Sequence, residues 1–425
     1  MAIGKGSTKE ILNENQVMDI CAQLFTSKDV SNKRVLVIIP DHSRSGPVDM
    51  LFRVLYTLLA KKVKLLDFLV ALGTHPPMSE ESILARVGIN KEEYKSKYSM
   101  VRFFNHHWDD PMQLKNIGTI KEADVADITF GLLNQKVDIS INKMIFNYDL
   151  LLIVGPTFPH EVVGCSGGNK YLFPGIAGEE IIHMFHWLGA LITNPVINGE
   201  KFTPVRAVID RAASFVPVER LCLSMVVKGE NLAGLYAGTP EEAWESAADL
   251  SEQLHIIVKD KFYKKVLSCA PKMYDELWTA GKCMYKLEPI VEDGGELIIY
   301  APHLKEISSV HGHIIEKIGY HVRDYFLKQM HKFKDIPGGV MAHSTHVKGI
   351  GSYENGIEKP RISVTLATRI PAKLCKKINL GYMNPDKINI ERWQGREEQG
   401  ILCVPKAGEH LYRKKTSIEP LIEEI

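Results

Sequence analysis

Short apolar runs alternate with helical patterns along the first half of the chain. Arg34–Ile39 (RVLVII) has the unbroken apolar character of a strand buried on both faces, and Pro40-Asp41 ends it. Pro47–Leu59 (PVDMLFRVLYTLL) then spaces its apolar residues with helical period. Leu66–Leu72 is a second strand, stopped at Gly73-Thr74-His75, and a polar-capped helix begins near Ser79. Asp149–Val154 (DLLLIV) is a third strand, ending at Gly155-Pro156. Thr239-Pro240-Glu241-Glu242 is a capping box with proline at the first helical position, and it opens a long helix to about His255. Glu296–Ala301 (ELIIYA), after Gly294-Gly295, is a further buried strand.

Strands alternating with helices predict an α/β protein: two Rossmann-like domains with largely parallel sheets and an active-site crevice between them. At 425 residues the chain is too long for one typical core. The expected division is an N-terminal α/β catalytic and cofactor-binding domain over 1–270 and a C-terminal α/β domain over 271–425 that closes the substrate site. Composition does not shift at the boundary, so its position rests on the strand that follows it.

Hydrophobic residues make up 45% and charged residues 24%, which excludes disordered and fibrous classes. Lys+Arg (52) and Asp+Glu (51) nearly cancel, so the expected partners include no nucleic acid and no membrane. The seven cysteines are scattered and never spaced C-x-x-C, as expected of reduced thiols in a cytoplasmic protein. No uninterrupted apolar run is long enough to span a bilayer.

Asp41, Arg44, His75, His160 and His303 all follow the C-terminal ends of predicted strands, where open α/β sheets bind ligands. The richest stretch is 155–191, which places Gly164, Gly167 and Gly168 before Lys170, then Pro174-Gly175 and a helix with His183 and His186. Glycines let a backbone approach a ligand and present N–H groups to anions. The Walker A pattern is not matched; a lysine behind such a loop could contact phosphate or serve as a covalent attachment point. His183 and His186 lie roughly on one helix face, as metal ligands or as packing residues beside Trp187.

The combination resembles the lactate racemase family, whose members use a nickel-pincer nucleotide cofactor. The family's Pro-His, Gly-x-Ser-Gly-Gly-x-Lys, Pro-Gly and downstream His stand here as Pro159-His160, Gly164-Cys165-Ser166-Gly167-Gly168-Asn169-Lys170, Pro174-Gly175 and His186. Asp41-His42-Ser43-Arg44 is similar to its Asp-x-Thr/Ser-Arg motif, and Gly73-Thr74-His75 matches its Gly-Thr-His. The likeness covers roughly residues 30–300.

The resemblance implies that Lys170 carries the cofactor, the nickel complex of pyridinium-3,5-bisthiocarboxylic acid mononucleotide, through a covalent bond. It further implies that His186 ligates the nickel, that Gly164, Ser166, Gly167 and Gly168 hold the cofactor phosphate, and that Asp41 orients cofactor or active-site groups. His75 and His160 would be the two catalytic bases, and Arg44 and Lys282 would hold the substrate carboxylate. Inverting C2 of a 2-hydroxy acid by direct proton removal would form a high-energy dianion. Transient oxidation avoids it: a base takes the hydroxyl proton, hydride leaves, and the planar 2-keto acid receives hydride on its other face. Cofactor-biosynthesis proteins are then implied as partners.

The chain departs from the family pattern at Trp278-Thr279-Ala280-Gly281-Lys282, where Thr279 stands for an expected glutamine, and at Ala301-Pro302-His303. A shorter residue at 279, with Trp278 and His303 as substrate contacts, suits a larger polyhydroxylated acid such as the aldonate gluconate. The alternative is a racemase of lactate or another short-chain 2-hydroxy acid. Two further readings are a zinc hydrolase using His343 and His346 and a non-catalytic hydroxyacid-binding protein.

Overall fold

The apolar runs of the first half become neighbouring strands of one sheet. The structure, a computed structural model, describes residues 2–415. It divides into two units, the first comprising Met1–Phe158, Cys165–Ile182 and Arg206–Leu254, the second Pro159–Gly164, His183–Val205 and His255–Ile425.

Unit 1 is built on seven strands: β1 (Ile3–Gly6), β2 (Arg34–Pro40), β3 (Leu65–Ala71), β4 (Arg102–Asn105), β5 (Leu150–Pro156), β6 (Glu219–Lys228) and β7 (Asn231–Gly238). They lie in the order β1-β7-β6-β5-β2-β3-β4. All pairings from β6 across to β4 are parallel, and an antiparallel hairpin, β6 with β7, and the antiparallel β1 finish one edge. Helix α1 (Glu14–Ser27), opened by a capping box at Asn13, and α2 (Val48–Leu59) bury their apolar stripes in the same core as Val35, Val37 and Ile39 of β2. The chain proceeds outward through β2, β3 and β4, then returns with β5 on the other side of β2. That reversal between β2 and β5 is a topological switch point, and α/β sheets bind ligands outside the strand ends there. Asp41 directly follows β2, and Thr157 directly follows β5.

Helix α3 (Glu80–Arg86) starts on the Ser79 cap, as its sequence predicts, and α4 (Glu179–Ile192) carries His183 and His186. The Pro240 helix is α5 (Pro240–His255). Unit 2 holds a second sheet of five strands, β8 (Tyr263–Cys269), β9 (Val291–Ala301), β10 (Ser363–Thr368), β11 (Gly381–Tyr382) and β12 (Ile401–Val404). Its order is β11-β10-β9-β8-β12, all parallel. Short helices α6 (Leu277–Ala280) and α7 (Lys282–Tyr285) follow β8, and α8 (Gly338–Lys348) is buried along almost its whole length. Both sheets are mostly parallel within an α/β architecture, as the strand pattern predicts.

The boundary expected near residue 270 lies at the end of β8, inside unit 2, and the expected end at 425 lies outside the described residues. The chain passes between units several times before residue 255, which a boundary drawn from length does not capture. Among the described residues no disulfide links the cysteines, and no helix is long and apolar enough to cross a membrane.

Candidate active site

In unit 1 the switch point gathers Asp41, Arg44 and His75. Asp41 is buried, and its Oδ1 accepts from the Ser43 backbone N–H at 3.1 Å and the Ser43 hydroxyl at 2.7 Å. Its Oδ2 lies 2.6 Å from Nδ1 of His75. Burial opposes ionisation of Asp41, but the His75 imidazole, the Arg44 guanidinium and the Ser43 hydroxyl outweigh it and hold the carboxyl well below the usual carboxylate range. An ionised Asp41 accepts the Nδ1–H of His75, so in the neutral ring the lone pair sits on Nε2. The Arg44 guanidinium stands 5.7 Å over the Phe158 ring.

The turn that carries His75 is tied to the lysine loop, since the Gly73 N–H donates to the Gly175 carbonyl at 3.0 Å. Lys170 itself lies in a 3-10 turn, Gly168–Tyr171. Gly167 has φ +91°, and a Cβ there would stand 2.3 Å from Thr157 Oγ1, so no other residue fits this bend without a shift. The Arg206 guanidinium braces the loop by donating to the Gly167 carbonyl at 3.2 Å and to the Cys165 carbonyl, while lying 4.1 Å over the Trp244 ring. The Trp244 indole N–H donates to the Ser166 carbonyl at 2.9 Å. The Ser166 hydroxyl accepts from the Phe158 N–H and donates to the Pro156 carbonyl, both at 3.1 Å, which fastens the loop to the end of β5. Arg206 and Trp244 carry no motif and lie far along the chain, so sequence reasoning missed them.

In unit 2, His160 is buried and its Nδ1 accepts the Val162 N–H at 3.1 Å. A neutral His160 therefore carries its hydrogen on Nε2, the opposite tautomer to His75. Glu161 Oε2 lies 3.5 Å from the same Nδ1. Burial favours a neutral Glu161, but Lys286, His346 and Lys282 outweigh it and keep its carboxyl below the usual range. Gly164 belongs to this unit, where its backbone lies against the Glu200 carbonyl, whereas Ser166–Lys170 belongs to unit 1. His183 accepts the Gly339 N–H at 3.3 Å on Nδ1, a packing role against α8, and His186 stacks on Phe185 at 5.3 Å.

Lys282 is buried with Nζ 4.8 Å over the Tyr274 ring. The Thr279 hydroxyl donates to the Glu276 carbonyl at 3.0 Å, and His303 Nε2 lies 2.9 Å from the Tyr274 carbonyl. Trp278 packs against the later histidines, 4.5 Å from the His311 ring and 4.1 Å from the His343 ring. Among the described residues no three His, Cys, Asp or Glu are grouped so that they could hold a metal ion.

Residues 7–197 match the lactate racemase N-terminal domain family. That segment belongs to the lactate racemase N-terminal domain family. The chain is 23% identical over 274 residues to a lactate racemase of Thermoanaerobacterium thermosaccharolyticum, covering 63% of this chain and 60% of that one. It is 24% identical over 275 residues to a lactate racemase of Lactiplantibacillus plantarum, covering 63% and 59%. The chain thus spans about three fifths of the length of these relatives. A crystal structure of a Thermotoga maritima protein superposes with a TM-score of 0.89 at 32% identity, covering 97% of this chain and all of that one. The lactate racemase apoprotein of T. thermosaccharolyticum superposes with a TM-score of 0.71 at 18% identity, covering 97% of this chain and 95% of that one, and shares the fold.

The residues present at the switch point fit an anionic cofactor. In unit 1, Thr157 Oγ1, Ser45 Oγ and Arg86 Nε and Nη2 are buried with no hydrogen-bond partner among the described residues. Burial lowers the Arg86 pKa, while the nearby Asp41 carboxylate and Tyr171 phenol work the other way. Buried, unpartnered donors at the switch point are what an anionic nucleotide requires.

Proposed function

We propose that this protein is a member of the lactate racemase family and an isomerase that inverts C2 of a 2-hydroxy acid, with a polyhydroxylated acid such as an aldonate favoured. The observation that carries the reading is the 2.6 Å Asp41–His75 contact beside the Lys170 loop, which fixes a base with its lone pair on Nε2. His75 takes the C2 hydroxyl proton of one enantiomer, and His160 serves the other. Arg44 and Lys282 bind the carboxylate, Arg44 through its fork. Lys170 would carry the nickel-pincer nucleotide covalently, His186 would ligate its metal, and the Gly167-Gly168 loop would hold the phosphate. When bound, that group supplies a reversible hydride acceptor, which spares the substrate the dianion that direct proton removal would form. Arg206 and Trp244 keep the loop in shape. Proteins that make the cofactor would be partners, and the cytoplasm, where thiols stay reduced, suits cysteines that form no disulfide.

A second reading, inversion of lactate or another short-chain acid, is supported by the names of the curated relatives. The experiment is expression in a host supplied with nickel and the cofactor pathway, then peptide mass and a chiral assay on gluconate and lactate. An adduct on the Lys170 peptide with inversion of either acid supports the proposal. An unmodified Lys170 and no inversion would overturn it.

A further inference from the structure

The late histidines of unit 2 are absorbed by none of the roles above, yet they are buried together. His311, His343 and His346 are all nearly inaccessible. His343 sits in the middle of α8, its ring 4.1 Å from Trp278 and its Nε2 3.2 Å from the Tyr320 hydroxyl. Burial pushes the Tyr320 phenol up, so its hydroxyl stays protonated and available to donate to Nε2. A Cβ on Gly281 would lie 3.1 Å from His343 Cε1, so this imidazole packs directly on the turn between α6 and α7 that carries Thr279 and Lys282. A larger residue there would crowd the ring, so the glycine lets it come close to the residue beside Lys282.

We infer that His343, held by Tyr320 and stacked on Trp278, is the residue that selects a polyhydroxylated acid, its Nδ1 bonding a substrate hydroxyl beyond C2. The inference rests on the isomerase reading for the place of the carboxylate at Lys282. Nδ1 makes no hydrogen bond among the described residues, while Nε2 is engaged by Tyr320. With Tyr320 donating, Nδ1 carries the hydrogen; in the other tautomer it accepts. A hydroxyl satisfies either state because it both donates and accepts, whereas a second carboxylate satisfies only the first. A methyl group in that position would offer the ring nitrogen no partner, so lactate is disfavoured.

The test is calorimetric titration of the full-length protein with gluconate and with lactate, alongside C2 inversion rates for both acids. The variants are H343F, which keeps a ring but no nitrogen, H343N, whose amide nitrogen overlays Nδ1, and Y320F, which removes only the tether. H343F is expected to weaken gluconate binding by ~10-fold or more while lactate changes by less than about 2-fold. H343N should restore most of the loss, and Y320F should weaken gluconate by about 2- to 5-fold. Should H343F fail to fold, H343N and Y320F still decide the matter. Equal losses for the two acids, or unchanged gluconate binding in H343F and Y320F, would overturn the inference. If gluconate binding depends on His343 and neither acid is inverted, the isomerase reading falls and the recognition stands. If both acids are inverted at a ratio unmoved by H343F, the isomerase reading stands and His343 loses its selecting role.

Discussion

Asp41 and His75 come from the ends of adjacent parallel strands and meet at 2.6 Å through Oδ2 and Nδ1. The pair fixes the His75 tautomer, and the Ser43 bonds fix the carboxylate. Unit 2 treats His160 differently, with a backbone N–H on Nδ1 and Glu161 at 3.5 Å. The two proposed bases are therefore oriented by unlike partners.

Replacing Asp41 by asparagine keeps the shape and removes the charge that holds Nδ1–H. Inversion by D41N is expected to fall by ~10²- to 10⁴-fold, with substrate affinity changed far less. Steady-state kinetics on whichever acid is turned over, with the Lys170 adduct quantified in both proteins, checks this. A D41N rate within a factor of two of the parent would remove Asp41 from the chemistry.

A hydride path keeps the C2 hydrogen, whereas proton removal exchanges it with solvent. Inversion in heavy water should leave the C2 position unlabelled, read by proton NMR of the product. H75A and H160A should each abolish inversion, and parental rates in both would refute the two-base scheme.

Lys286 is almost completely buried, donates to the Pro159 carbonyl, and is the largest charge offsetting the burial of Glu161. K286M removes the largest charge that offsets the burial of this carboxylate and should cost about 3–5 kcal/mol of stability. The double variant E161Q/K286M should recover part of that loss in urea unfolding. Full recovery is not expected, because the Pro159 carbonyl also loses its donor.

His106 of unit 1 is buried, with Nε2 2.9 Å from the Ala177 carbonyl and Nδ1 accepting from Asn142 at 3.2 Å. Burial is the main reason its pKa is lowered to about 4, against an ordinary 6.5. The unfolded chain then takes up the proton more readily than the folded one. The stability this neutral ring contributes is complete above about pH 6.5 and is lost as the pH falls towards 4, a change on the order of 3 kcal/mol. Thermal unfolding of H106Q should fall less steeply over that window than the parent, and equal slopes would show that another group titrates.

The buried strands were legible because parallel strands covered on both faces must be apolar throughout, as β2 and β5 are. The helix starts at Ser79 and Thr239 were legible because capping is local chemistry. The candidate groups at the strand ends followed from the same punctuation. What did not show was every partner lying far along the chain. Arg206 and Trp244 brace the Ser166–Gly167 backbone from about 40 and 80 residues away, with no spacing to announce them. The Tyr320–His343 bond and the Trp278 stack likewise join residues whose order in the sequence carries no signal.

By itself the sequence determined the kind of fold, the lysine and glycine loop, and which histidines follow strand ends, since these depend on residue type and short-range spacing. Only the tertiary structure decided which of those groups are held ready. It placed Asp41 on His75, turned the Ser166 hydroxyl inward to fasten its own loop, and set His343 against the turn of Lys282. The physical reason is that a tautomer, a buried charge or an open hydrogen-bonding atom is fixed by its neighbours in space, and those neighbours are chosen by the packing of strands and helices rather than by their order in the chain.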